Sequence, residues 1–154
     1  MRAVMSAMSS YLSESFRRLV ADRAGRLCEY CLIHEDDAFF GCEVDHIISL
    51  KHGGATHDDN LAFARLPCNR HKGTDIGSIL PDTGEFIRFF NPRHDKWFHH
   101  FRLEGSLIMP ITDIGIVTVS ILRYNAGERL LEREALIAVG RYPIESAKAH
   151  IHPD

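Results

Sequence analysis

Apolar and polar positions follow three different periods along the chain, and each period predicts an element. Across residues 13–25, SESFRRLVADRAG places Phe16, Leu19, Val20 and Ala24 at helical spacing, with Ser13 as a cap and Gly25 as a stop. Across residues 39–50 the chain is rich in β-formers, namely Phe39, Phe40, Val44, Ile47 and Ile48. Gly53-Gly54 then turns it before Asn60-Leu61-Ala62-Phe63, which predicts an irregular hairpin with a wide loop. Cys68-Asn69-Arg70-His71-Lys72 reads as a short helix closed by Gly73, and Asp82-Thr83-Gly84 and Glu104-Gly105 mark turns in strand-like sequence. In the last third, Pro110 and Thr112 open a helix that carries Ile114, Val117, Ile121 and Tyr124 on one stripe. Asn125 to Gly127 breaks it. A second helix over about residues 128–139, with Leu131, Ala135 and Ala138, is expected to fold back as a helical hairpin, both stripes packing on each other and on the core.

Composition narrows the class. A chain of 154 residues without repeats or low-complexity tracts fits one domain, and 45 % hydrophobic with 25 % charged residues is enough to bury a core. No apolar run nears the length of about 18 that a membrane span requires, and residues 1–10 lack the apolar stretch of a signal peptide, so a cytoplasmic protein with no membrane partner is expected. A net charge of −3 argues against chain-wide electrostatic binding of nucleic acid and leaves room for a local basic groove. Four cysteines in such a chain read as metal ligands or buried thiols rather than as a disulfide framework.

Three features carry chemistry. Cys28-Glu29-Tyr30-Cys31 is a knuckle whose two thiolates can converge on one tetrahedral zinc ion. Val44-Asp45-His46-Ile47 follows, and then Asn60 and Cys68-Asn69-Arg70-His71-Lys72. Arg23 to Cys31, Val44 to Ile48, Lys51-His52-Gly53-Gly54, Asp59-Asn60-Leu61-Ala62 and Cys68 to Gly73 come in the order and at about the spacing of an HNH endonuclease, as do the later Asn91 to Trp97 and His100-Phe101. Over about residues 13–139 the chain resembles small prokaryotic HNH proteins.

The resemblance implies an α+β fold with a ββα-metal core (HNH, His-Me finger), entered by an N-terminal helix and extended by a C-terminal helical hairpin. The core is expected at about residues 13–75, a hairpin-rich segment at about 76–109 and the helices at about 112–139. It also implies an enzyme, a metal-dependent endonuclease hydrolysing phosphodiester bonds in DNA, with RNA left open, through one Mg²⁺ or Mn²⁺ ion. By resemblance His46 is the general base, Asn60 orients it, and Asp45 and Asn69 hold the cation. A histidine with an ordinary pKa of about 6.5 suits proton abstraction from water, and carboxylate and amide oxygens suit a hard cation. Asp45 and His46 are consecutive, so a regular strand would point them to opposite faces, and the strand must end, twist or bulge there.

The sequence departs from the family at one point. Zinc-bearing members carry a second Cys-x2-Cys pair, and its first position holds Arg65 here. Cys28, Cys31, Cys68 and His71 would restore a Cys₃His zinc site, since Cys68 and His71 at i, i+3 share a helix face. Cys42 is an alternative fourth ligand. With no zinc, the three cysteines are small buried residues and Arg65 fills the vacancy or pairs with Glu29 or Glu43. Lys51, Arg70 and Lys72, with His52 and Arg65 nearby, are candidates for phosphate contacts. Trp97, Phe98 and Phe101 read as core, and the histidines around Asp95 lack a tetrahedral spacing. A homodimer is compatible with the C-terminal helices, and double-strand cleavage would need two copies or two encounters. The alternative is an inactive HNH-fold module that binds nucleic acid or a protein partner; a thiol redox role for the knuckle lacks the βαβ context.

Overall fold

The computed structural model describes residues 12–153; the start of the chain through residue 11, expected to lack a signal peptide, and Asp154 lie outside them. Ser13 accepts a hydrogen bond from the Phe16 amide at 3.2 Å and opens helix α1 (Glu14–Arg23), and Gly25 at φ +62° turns the chain out of it. The face that meets the sheet is Phe16, Val20 and Ala24 at i, i+4 and i+8, joined by Ala21. Leu19, expected on that stripe, is 50 % exposed.

Strand β1 (Cys42–His46) pairs antiparallel with β2 (Leu61–Arg65) in a continuous register, Val44 opposite Phe63 and His46 opposite Leu61. Residues of one face, Leu61 and Phe63 with Val44, pack under α1; those of the other, Ala62 and Ala64, join the larger core around Cys28, Cys31 and Cys68. Helix α2 (Leu66–Lys72) follows β2 with no loop, Pro67 in its first turn and Gly73 at its end. Phe39 and Phe40 do not join β1. They precede it in a turn, 88 % and 72 % exposed, with ring centroids 4.7 Å apart, edge to face.

The expected turns at Gly84 and Gly105 close two further hairpins, β3 (Gly77–Ile79) with β4 (Phe86–Arg88) and β5 (Phe101–Glu104) with β6 (Leu107–Pro110). A single turn, α3 (Trp97–His100), precedes β5, and both Trp97 and Phe101 are core residues. Thr112 caps α4 (Asp113–Ile121) by accepting from the Gly115 amide at 3.0 Å, and α4 packs on β3, β4 and β6. Of the expected stripe, Val117 is buried and Ile114 and Ile121 are half-buried on α4, while Tyr124, also buried, lies in the turn past the helix end.

Helix α5 (Gly127–Ala138) departs from expectation. Its Leu131 is 67 % exposed, Ala135 and Ala138 are exposed, and the residues it buries are Arg129 and Arg133. Their guanidinium groups satisfy carbonyls left open where the chain turns, Leu122 by Arg129 at 2.6 Å and Tyr124 by Arg133 at 2.7 Å. Helix α6 (Lys148–Ile151) ends the described chain.

The C-terminal half is built onto the knuckle. The Tyr30 carbonyl accepts from Trp97 Nε1 and from the Tyr124 hydroxyl, each at 2.9 Å, and the Cys31 carbonyl accepts from the Tyr142 hydroxyl at 2.9 Å. Three buried aromatic side chains thus satisfy two buried carbonyls and fix the loop between Cys28 and Cys31.

Candidate functional site

Because β1 and β2 pair without a bulge, Asp45 and His46 do point to opposite faces, and β1 ends at His46. Asp45 faces α2 and the knuckle and is 4 % exposed. Its carboxylate accepts from the Tyr30 hydroxyl at 2.8 Å and lies 3.2 Å from Lys72 Nζ. Burial lifts the Asp45 carboxyl above its ordinary 3.8, against the pull of Lys72 and Tyr30. Lys72 also donates to the His46 carbonyl at 2.9 Å and is 2 % exposed. A side chain so enclosed does not reach a phosphate in solution, which corrects its expected role: it ties the end of α2 to the end of β1.

His46 is half-buried at the mouth of the hairpin loop, with Nε2 2.9 Å from Thr56 Oγ1. Burial lowers the ring below its ordinary 6.5; Asp45 opposes the shift and Lys72 adds to it. The imidazole is therefore neutral at pH 7 and has a basic nitrogen to offer. Asn60 does not touch the ring. Its amide is spent on the loop backbone, accepting from the Ile48 amide at 2.9 Å and donating to the carbonyls of Ile48 at 2.9 Å and Ala55 at 2.8 Å. It acts on His46 at one remove, by fixing the residue before Thr56. Gly54 lets the loop close this tightly: a Cβ there would overlap the Ile48 carbonyl oxygen and stand 2.9 Å from Asn60 Nδ2. Arg23 anchors the returning limb through the carbonyls of Asp58 at 2.7 Å and Leu61 at 2.6 Å.

Asn69, on α2, is half-buried and donates to Glu43 Oε2 at 3.3 Å. Glu43 and Asp45 stand at i, i+2 on β1 and share the face beside α2, Glu43 exposed and Asp45 closed off by Tyr30 and Lys72. Sequence reasoning passed over Glu43, Tyr30 and Thr56. Only Glu43 carried a signal, the strand period of two that links it to Asp45. Lys51 and Arg70 are exposed, as is His52.

The second cluster is deep. Cys28, Cys31 and Cys68 are each 0 % exposed, and their sulfurs lie within 4.8 Å of one another; neither His71 nor Cys42 belongs to the group. His71 is half-buried, and burial and then Arg129 lower its pKa. The cysteine cluster meets arginines: Arg129 Nη2 donates to Cys68 Sγ at 2.9 Å, and Arg65, 4 % exposed, pairs through both terminal nitrogens with Glu132 on α5. Arg65 thus pairs with neither Glu29 nor Glu43; Glu29 is taken by Arg93 and by the Phe63 amide.

Residues 28–75, from the first knuckle cysteine to just past α2, match the family model described as HNH endonuclease. The resemblance drawn from the motifs is thus carried by that segment, just under a third of the chain, and it contains the knuckle, β1, β2 and α2. No curated protein and no solved structure matches the chain. Among the described residues, no helix is long and apolar enough to cross a membrane.

Proposed function

We propose that this protein is a metal-dependent HNH endonuclease that hydrolyses phosphodiester bonds in DNA, with β1, β2 and α2 as its ββα-metal core. The observation that carries this reading is His46: an imidazole at the end of β1, half-buried, with one nitrogen 2.9 Å from Thr56 Oγ1 on a loop that Asn60 pins. A proton on Nε2, donated to Thr56 Oγ1, leaves Nδ1 free to take a proton from water. His46 is the general base. Asn60 and Thr56 are positioning residues.

The donor set fits one hard divalent cation. Asp45 and Glu43 offer carboxylate oxygens from one face of β1, and the Asn69 amide presents its oxygen to the same space once turned over, a change of side-chain torsion only. Asp45 and Asn69 are the residues that would hold Mg²⁺ or Mn²⁺, which there supplies Lewis-acid relief of charge on the phosphate and the leaving oxygen. Lys51 and Arg70, exposed on either side of this space in sequence, suit phosphate contacts. The buried thiols form a separate, structural centre of zinc type.

One observation favours a second reading, a module that binds nucleic acid without cutting it: Lys72 already neutralises Asp45 in the absence of any ion. A supercoiled-plasmid assay with EDTA, Mg²⁺ or Mn²⁺ separates the two. Cation-dependent nicking that disappears in His46→Ala establishes the nuclease. DNA retention by folded protein with no cleavage under any cation establishes the module.

A further inference from the structure

We propose that an apolar slot beside the mouth of the β1–β2 loop takes one unstacked pyrimidine base, so that the strand presented to His46 is one with an unpaired nucleotide rather than regular duplex. The inference rests on the proposed reading of this hairpin as the part that meets nucleic acid, and it names the substrate feature that the hairpin selects.

Place comes first. The floor of the slot is Ile47, Phe89 and Phe90, all buried, and its rim is Ile48 and Phe86. Ile47 and Ile48 are the two residues after His46, so the Cα of Ile48 lies no more than about 7.6 Å from that of His46. The amide and the carbonyl of Ile48 are both held by the Asn60 side chain, which also holds the carbonyl before Thr56. One side-chain amide thus fixes the slot and the partner of the imidazole together.

Size and chemistry select the occupant. The slot has a volume of about 150 Å³. An apolar cavity of about that volume lined by Leu, Ile and Phe holds a benzene ring, which a pyrimidine approximates and a purine, with its second ring, exceeds. The rim is apolar and open, Phe86 being 54 % and Ile48 44 % exposed. A Cβ at Gly77 would stand 2.6 Å from Phe86 Cζ, so the ring lies against bare backbone of β3, and glycine makes room for it there. An exposed aromatic seated in this way offers a face for base stacking. Asn91 supplies a polar wall. Its Oδ1 accepts from the Arg93 amide at 2.9 Å, and among the described residues its Nδ2 donates to none, which leaves a donor for the O2 that both pyrimidines carry.

Charge points the same way. A chain of net charge −3 grips a phosphate backbone weakly, so contacts to a base carry more of the affinity. Exposed Lys51 stands three residues beyond Ile48, and Arg88, bonded to Asp95, lines the slot. They are cations for the phosphates on either side of a bound base. Drawing a base out of a duplex costs pairing and stacking energy, least where the base is already unpaired.

The test is fluorescence anisotropy with the folded, full-length His46→Ala chain in Mg²⁺. The probes are DNA duplexes of one length: fully paired, with one bulged thymine, with one bulged adenine, and with an abasic residue in the bulge. The thymine bulge is expected to bind about 10-fold tighter than the paired and abasic duplexes, and the adenine bulge to gain less. Phe86→Ala and Ile48→Ala, added singly, should each lose most of that preference and keep the affinity for paired duplex; Phe86→Tyr should retain the preference. Equal affinity for the thymine and abasic bulges would overturn the proposal, as would an equal gain for adenine. Full preference in a folded Phe86→Ala or Ile48→Ala chain would also overturn it, and if one of the two does not fold the other decides. Plasmid nicking by wild type is scored separately: a thymine preference without nicking refutes the nuclease and leaves the slot, whereas nicking without the preference refutes the slot alone.

Discussion

The Lys72 ammonium and the Asp45 carboxylate lie 3.2 Å apart, each side chain all but closed to solvent. The pair joins the last residue of α2 to the penultimate residue of β1, and the same ammonium holds the carbonyl of His46. It therefore fixes where the strand ends, and with it the position of the imidazole.

Removing one partner leaves an uncompensated charge in the interior, so Lys72→Met is expected to cost about 3–5 kcal/mol. Lys72→Met combined with Asp45→Asn should cost clearly less than the sum of the two single changes, because the double variant buries no net charge. Urea unfolding of the four proteins measures the coupling. Additive losses would mean that the two groups do not interact as the geometry requires.

The two loop glycines are expected to respond differently. Gly53 has φ +83° and open space around its Cα, so Gly53→Asn should cost well under about 1 kcal/mol, asparagine being tolerant of that conformation. Gly54 has no room for a methyl group beside the Ile48 carbonyl. Gly54→Ala must open the loop, releasing the Asn60 amide and Thr56, and should cost about 1–3 kcal/mol as well as activity. Thermal melts and plasmid nicking on both variants check this. Equal behaviour of the two would show that the loop closes without the contacts of Asn60.

Local elements were legible because their signals are local. The Ser13 cap, the stops at Gly25 and Gly73, the wide hairpin loop and the turns at Gly84 and Gly105 follow from residue type and near neighbours. The buried face of α5 was not, because its apolar residues suggested one face while the burial of Arg129 and Arg133 depends on carbonyls and a sulfur up to 61 positions away. The role of Lys72 was hidden in the same way: a lysine beside a phosphate and a lysine in a buried ion pair look alike in sequence. Asn60 was expected to orient the His46 ring across the hairpin, but its partners are backbone atoms of Ile48 and Ala55, which no residue pattern encodes.

Asp95 gives a stability signature away from the site. Burial works against its carboxylate, but the two bonds from Arg88, at 2.7 and 3.0 Å, and one from the Asn91 amide, at 2.8 Å, outweigh it and hold its pKa below the ordinary 3.8. A carboxylate whose pKa is depressed by folding contributes stability that is present above about pH 4 and lost as pH falls through the folded value. The stability gap between wild type and Asp95→Asn should therefore be constant from pH 7 to pH 5 and shrink below pH 4. Denaturant midpoints across that range test it; a gap that widens on acidification would reverse the sign argued here.

His46 gives the corresponding signature in activity. Folding depresses its pKa below 6.5, so the neutral, base-competent ring is already dominant at pH 7. The cation-supported nicking rate should then be flat between pH 7 and pH 8 and fall only below pH 6.5, on a limb that disappears with His46→Ala, which should lose about 10²- to 10⁴-fold in rate. For stability the sign is that of a depressed histidine: its contribution is complete above 6.5 and is lost as pH drops through the folded value, because protonation favours the unfolded chain. Thr56→Val keeps the side-chain shape but removes the oxygen 2.9 Å from Nε2. It should lower the plateau rate. A Thr56→Val protein with the full wild-type rate would show that the imidazole is oriented without that hydroxyl.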